Sequence, residues 1–172
     1  NVRGWKRSRE YALRHAEEET FDLETITAET HTYSASTGAP NTVTVNRPPI
    51  AAVSAVVVVK RITQTVVRGG LAGGLDPLAK ASIVAIESVV QGGTTFVQVS
   101  DYVLAGDEIS WAPPGAEPAA ASSYQVTYLY NEAQAPDSVT DTTVVVSGGV
   151  NGRPILVTYT SMLPRVDLMC LD

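Results

Sequence analysis

Cysteine is almost missing: Cys170 is the only one in 172 residues, so no internal disulfide can form and the fold must hold together by packing. Histidine is nearly as scarce, with only His15 and His31, both in the charged N-terminal part. Nucleophilic catalysis needs a base beside its hydroxyl or thiol. No Gly-x-Ser-x-Gly turn occurs, and Cys170 sits in the apolar run 166–171 without a basic neighbour, as a packed cysteine does. Two separated histidines and one remote cysteine give no zinc spacing, and the alternating Asp/Asn ladder of a calcium loop is missing. Asp101, Asp107 and Glu108 approach one another only if a hairpin brings them together, and acids at such turns ordinarily face solvent. Any acidic chain contains carboxylate pairs of the kind glycosidases use, and nothing here singles one out. The sequence predicts no enzyme, no metal and no cofactor.

Long apolar runs are missing too. None approaches the roughly 18 uncharged residues needed to cross a bilayer as a helix. The net charge of -6 argues against nucleic acid as a partner, since phosphate binding needs clustered Lys and Arg. Protein partners are expected instead. The chain begins at Asn1 with no apolar leader and is still apolar at Leu168–Leu171, which reads as a piece of a longer polypeptide.

What the chain does contain is uneven charge followed by β grammar. Arg3, Lys6, Arg7, Arg9 and Arg14 crowd the start, and Glu17, Glu18, Glu19, Asp22, Glu24 and Glu29 follow. The stretch Arg7–Glu19 lacks Gly and Pro and carries Glu10 four residues before Arg14, so it predicts a short helix within a charged arm, residues 1–24. Its charge order opposes the helix dipole, so contacts with a neighbour would have to support it.

From about Glu24 onward, β-branched runs alternate with Gly, Pro, Asn and Asp. The clearest strand is Ser123–Tyr130, where Tyr124, Val126, Tyr128 and Tyr130 alternate with Gln125, Thr127 and Leu129. Further runs lie at Thr42–Val45, Val53–Ile62, Ile83–Val90, Thr95–Val99, Glu108–Trp111, Thr142–Val146 and Ile155–Thr160. Roughly seven to ten such strands predict an antiparallel β-sandwich, Ig-like or irregular and barrel-like, over residues 25–172. Gly92-Gly93, Gly106, Gly148-Gly149 and Asn151-Gly152 mark turns between strands. The stretches Arg68–Pro77 and Ala112–Ala121, rich in Gly, Ala and Pro, predict mobile surface loops. Gly69-Gly70 and Gly73-Gly74 resemble a phosphate loop but lack its Lys-Ser/Thr ending. Alternating aromatics ordinarily fill a core; the other reading is a ligand surface of Trp111, Tyr102, Pro113 and Pro114.

The stretch Ile86–Tyr130 also carries a resemblance. Phe96, Asp101-Tyr102, Gly106, Ile109, Trp111, Pro113-Pro114 and the Tyr124-x-Val126-x-Tyr128 strand resemble a module that recurs in tail proteins of phages and prophages. The opening GWKRSREYALRHAEEETFDLETI, the run TVTVNRPP and the ending LPRVDLMCLD look similar to parts of an uncharacterised domain family of tail-fibre-like and baseplate-associated proteins. The resemblance implies a structural part of a virion tail, made in the bacterial cytoplasm, that joins other tail or baseplate proteins and sister copies, with a trimer favoured. Arg7, Arg9, Arg14, Glu17, Glu18 and Glu19 are then the assembly arm. The alternative is a module that binds a bacterial surface glycan through Trp111 and its Pro-rich loop.

Overall fold

Valine, threonine and tyrosine dominate the centre of the chain, and these residues suit a pleated, half-buried surface better than a helix. A computed structural model describes residues 21–164, and twelve strands run through them with no helix among the described residues. Six strands form one antiparallel sheet, in the spatial order β1 (Phe21–Thr32), β12 (Pro154–Pro164), β3 (Ile50–Val67), β9 (Ser123–Gln134), β5 (Ile83–Gln91) and β6 (Thr94–Phe96). Two three-stranded sheets accompany it. One is β10 (Ser138–Val139), β11 (Thr143–Val146) and β2 (Asn41–Thr44); the other is β4 (Leu75–Pro77), β8 (Glu108–Ser110) and β7 (Val103–Ala105). The sheets curl into a half-barrel, so the mainly β expectation holds in its barrel-like form. The helix expected at Arg7–Glu19 lies outside the described residues.

β3 is the spine. Its first half, from Ile50 to Val58, pairs with β12, and its second half, from Val56 to Val67, pairs with β9 on the opposite edge. Two large apolar cores therefore share one strand, and Val59 on the same strand packs with Leu129 and Val150 in a smaller third cluster. Val56 and Val58 pack with Tyr33, Val144, Val146, Ile155 and Tyr159 in the first core. Val66 and Ile62, further along β3, pack with Val89, Trp111, Tyr124, Val126 and Tyr128 in the second. Burying each such side chain contributes about 1.5–3 kcal/mol. Between the two cores the register puts a cation, Lys60, whose ammonium lies 2.5 Å from Glu132, and Lys80 reaches the same carboxylate at 3.3 Å.

Most strands lie where the residue pattern predicts them, including the alternation along β9, whose Tyr124, Val126, Tyr128 and Tyr130 are all buried. Gly92 and Gly93, at φ 54° and 87°, form the two-residue turn joining β5 to β6. β1 is less legible. It is an edge strand whose register with β12 slips between Ile26 and Glu29, with Ala28 at φ 52°. The slip changes which residues face inward: Glu29 and His31 stand opposite the buried Val157 and Ile155.

Arg68–Pro77 is not the mobile loop that its glycines suggest. It carries β4 and two buried charges, Arg68 and Asp76.

One glycine is fixed by close approach. A Cβ on Gly149 would lie 2.3 Å from the ring of the buried Tyr33, whose hydroxyl donates to the Ala39 carbonyl. Gly149→Ala is expected to cost about 1–3 kcal/mol in urea unfolding. Gly70→Ala, with nothing within 4 Å of the added carbon, should stay within about 0.5 kcal/mol of the parent. Equal effects would contradict the packing.

Candidate functional site

The densest polar arrangement lies under the second core, where the chain leaves β3. Arg68 and Asp76 are both about 2% exposed at their side chains. Burying a lone carboxylate costs several kcal/mol, and Asp76 offsets this with four donors. Its Oδ1 accepts from Arg68 Nη1 at 3.2 Å and the Gly69 amide at 2.9 Å. Its Oδ2 accepts from Trp111 Nε1 at 2.9 Å and the Tyr124 hydroxyl at 2.7 Å. Burial first, and then the bond to Asp76, pushes the Tyr124 phenol far above its ordinary range, so it remains a donor.

Arg68 extends the network outward. Its Nη2 donates to the Leu71 carbonyl at 2.6 Å and to Glu117 Oε2 at 2.7 Å, while Nε is a buried donor with no partner. Glu117 also accepts the Gly73 amide at 3.1 Å, and Arg68 with that amide holds its carboxyl below the usual range. The glycine-rich stretch does cradle anions, but they are the chain's own carboxylates: Gly69 serves Asp76, and Gly73 serves Glu117.

The aromatic residues complete this core. Trp111 packs edge-on against Phe96 at 5.2 Å and Tyr124 at 5.4 Å, and tilted against Tyr102 at 5.8 Å. The Arg68 guanidinium stands 5.8 Å from the indole centre. Trp111 is 2% and Tyr102 3% exposed, so neither offers a ring face to a sugar. Both rings belong to the core, the first of the two readings that these aromatics allow. Pro113 is half-buried and Pro114 exposed on the adjoining loop. That loop is tied down as well, because Asp101 accepts the amides of Val97 at 2.7 Å and Ala116 at 2.9 Å.

A second inward carboxylate stabilises β1. Glu29 accepts from His31 Nε2 at 2.6 Å, the Asn46 amide at 2.9 Å and the Tyr159 hydroxyl at 2.8 Å. Burial pulls its pKa up, but the Tyr159, Asn46 and His31 bonds outweigh this and hold it below the ordinary carboxylate value. Asp107 is likewise occupied, accepting the Ile83 amide at 2.9 Å. Among the described residues no cluster of three or more His, Cys, Asp or Glu is arranged to hold a metal.

Of the residues singled out in the sequence, Arg7, Arg9, Arg14, Glu17, Glu18 and Glu19 lie outside the described residues, as do His15 and Cys170. Arg68, Asp76 and Glu117 escaped the sequence reading. Arg68 and Asp76 stand eight residues apart in a stretch that reads as loop, and Glu117 is 49 residues from Arg68, so only the fold brings the three together.

A family model described as a domain of unknown function (DUF4815) matches residues 1–172. No curated protein and no solved structure matches the chain.

Two tests follow from the carboxylates. Asp76→Ala leaves the indole and the phenol as buried donors without an acceptor and Arg68 with Glu117 as its remaining carboxylate, and should cost about 2–5 kcal/mol in urea unfolding; a loss under about 1 kcal/mol would contradict the network. Glu29 has a lowered folded pKa, so its stabilisation is complete above the unfolded value near about 4.3 and fades as pH falls through the folded value. Glu29→Gln is therefore expected to flatten the loss of stability below about pH 4.3, and an unchanged slope would contradict that role.

Proposed function

We propose, from the premise that the chain belongs to the DUF4815 family of domains of unknown function, that it is a structural module of a phage tail, tail fibre or baseplate and works by protein–protein assembly rather than catalysis. The observation that carries this reading is how charge is used. The inward carboxylates Asp76 and Glu29 end on donors within the chain and pin a loop and an edge strand. A reactive carboxyl needs room for a substrate, whereas Asp76 is enclosed by Arg68, Trp111 and Tyr124. Among the described residues, the open surface grooves beside Val90–Gly93 and beside Val53–Ala55 have no charged residue in their lining.

The residues quoted for the tail-protein resemblance fit the same reading as scaffold parts. Trp111 and Tyr124 hold Asp76, and Asp101 ties two loops together. The charged blocks at the start of the sequence supply the joining element. Adjacent basic and acidic blocks suit head-to-tail contacts between copies, which close into rings when the rotation permits. The tail-protein resemblance favours a homotrimer among such rings.

Light scattering after size exclusion, at two salt concentrations, tests the proposal. The parent chain should run as a salt-sensitive oligomer, and the charge reversal Arg7→Glu, Arg9→Glu and Arg14→Glu should lower its mass while the β circular-dichroism signal stays unchanged. A parent monomer at both salts, or a reversed chain of undiminished mass, would overturn it.

A further inference from the structure

The six-stranded sheet has a gap beside its spine. β9 stops pairing with β3 at Val56↔Gln134 and then departs through Ala135 and Pro136 toward β10. The amide of Ile50 is taken by the Asp141 carbonyl, and between that bond and Val56 only β12 pairs with β3. An open groove of about 420 Å³ remains, lined by Val53, Ser54, Ala55, Ala133, Gln134 and Pro136. Its walls are small and uncharged, as strand addition at an open edge requires.

The rim is acidic. Asp137 follows Pro136 directly, Asp141 adjoins Ile50 through its carbonyl, and both are exposed. Among the described residues no cation pairs with either, whereas Arg47, Lys60, Arg61, Arg68 and Lys80 are each committed to a carboxylate elsewhere. Residues 21–164 hold six Lys and Arg against twelve Asp and Glu. The described fold has no spare cation for this rim except Arg153, which lies close enough to Glu87 to lower its pKa.

The missing charge is in the first fourteen residues, where Arg3, Lys6, Arg7, Arg9 and Arg14 stand against Glu10 alone. That segment joins the fold at the same end. Phe21 pairs with Pro164, three residues beyond Ser161, which pairs with Ile50 at the edge of the gap. Glu17, Glu18 and Glu19 lie between the basic block and Phe21, so folding back would bring three carboxylates to an acidic rim. Reaching to a neighbour avoids that repulsion.

We infer that the groove beside Ala51–Ala55 receives the basic segment 1–14 of a second copy, which on docking adds to the open edge of β3 as a strand in place of the helix that its composition predicts, and sets its cations against Asp137 and Asp141. The inference rests on the assembly reading above and assigns its receptor surface. At 0.1 M salt the Debye length is about 10 Å, so the contact strengthens as salt falls.

The test uses the full chain. Asp137→Lys with Asp141→Lys should raise the oligomer's dissociation constant at least tenfold in sedimentation equilibrium, and the milder Asp137→Asn with Asp141→Asn should move it the same way by less. Adding Arg7→Glu, Arg9→Glu and Arg14→Glu to the lysine variant should restore assembly. In a Cys170→Ser background, Arg9→Cys with Ala135→Cys should give an interchain disulfide. If arm reversal dissociates the oligomer while the Asp137 and Asp141 variants leave it intact, assembly through the arm stands and this groove is the wrong receptor. If none of these changes matters, both fail. An exclusively intrachain crosslink would show the segment on its own copy and overturn the inference.

Discussion

Removing a carboxylate from water costs several kcal/mol unless donors replace the lost hydration, and Asp76 meets that demand from four directions. Arg68 comes from the end of β3, Gly69 from the loop that follows, Trp111 from the end of β8 and Tyr124 from the start of β9. The carboxylate therefore fixes where four segments lie relative to one another. Trp111 in turn is the ring on which Phe96, Tyr102 and Tyr124 converge. Without Asp76 its indole N–H would be a buried orphan, and so would the Tyr124 hydroxyl. The second core is thus an apolar cluster organised around one anion.

The first core solves the same problem with less charge. Its interior is mostly valine and isoleucine closed by Tyr33 and Tyr159, and its carboxylate, Glu29, sits at the margin instead of the centre. Both cores lean on β3, so a shift of that strand is felt in each. Lys60 marks the changeover, where a charged side chain on the inner face reaches Glu132 and separates two apolar clusters on one strand.

Much of this was legible where local pattern and final environment agree. β9 alternates because one of its faces is core, and the Gly92-Gly93 turn needs residues that tolerate positive φ. β1 was not legible, because Asp22, Glu24 and Glu29 break the apolar alternation and a bulge shifts its facing midway. The stretch Arg68–Pro77 misled for a different reason. Its glycines look like flexibility, but their amides serve Asp76 and Glu117, and Glu117 lies 44 residues from Gly73. A long-range anion cannot be read from local composition. Trp111 could be read as core or as a sugar platform, and only the fold, which buries the ring among Phe96, Tyr102 and Tyr124, decides between them.

Hydrogen exchange, resolved at single amides, reads directly whether the buried anion turns the glycine-rich connector into part of the core. Gly69 and Trp111 should exchange as slowly as the central amides of β3 and β9, through the same global opening. Exchange of Gly69 and Trp111 as fast as that of the exposed Gly92-Gly93 turn would mean that the connector opens on its own and that Asp76 does not hold it.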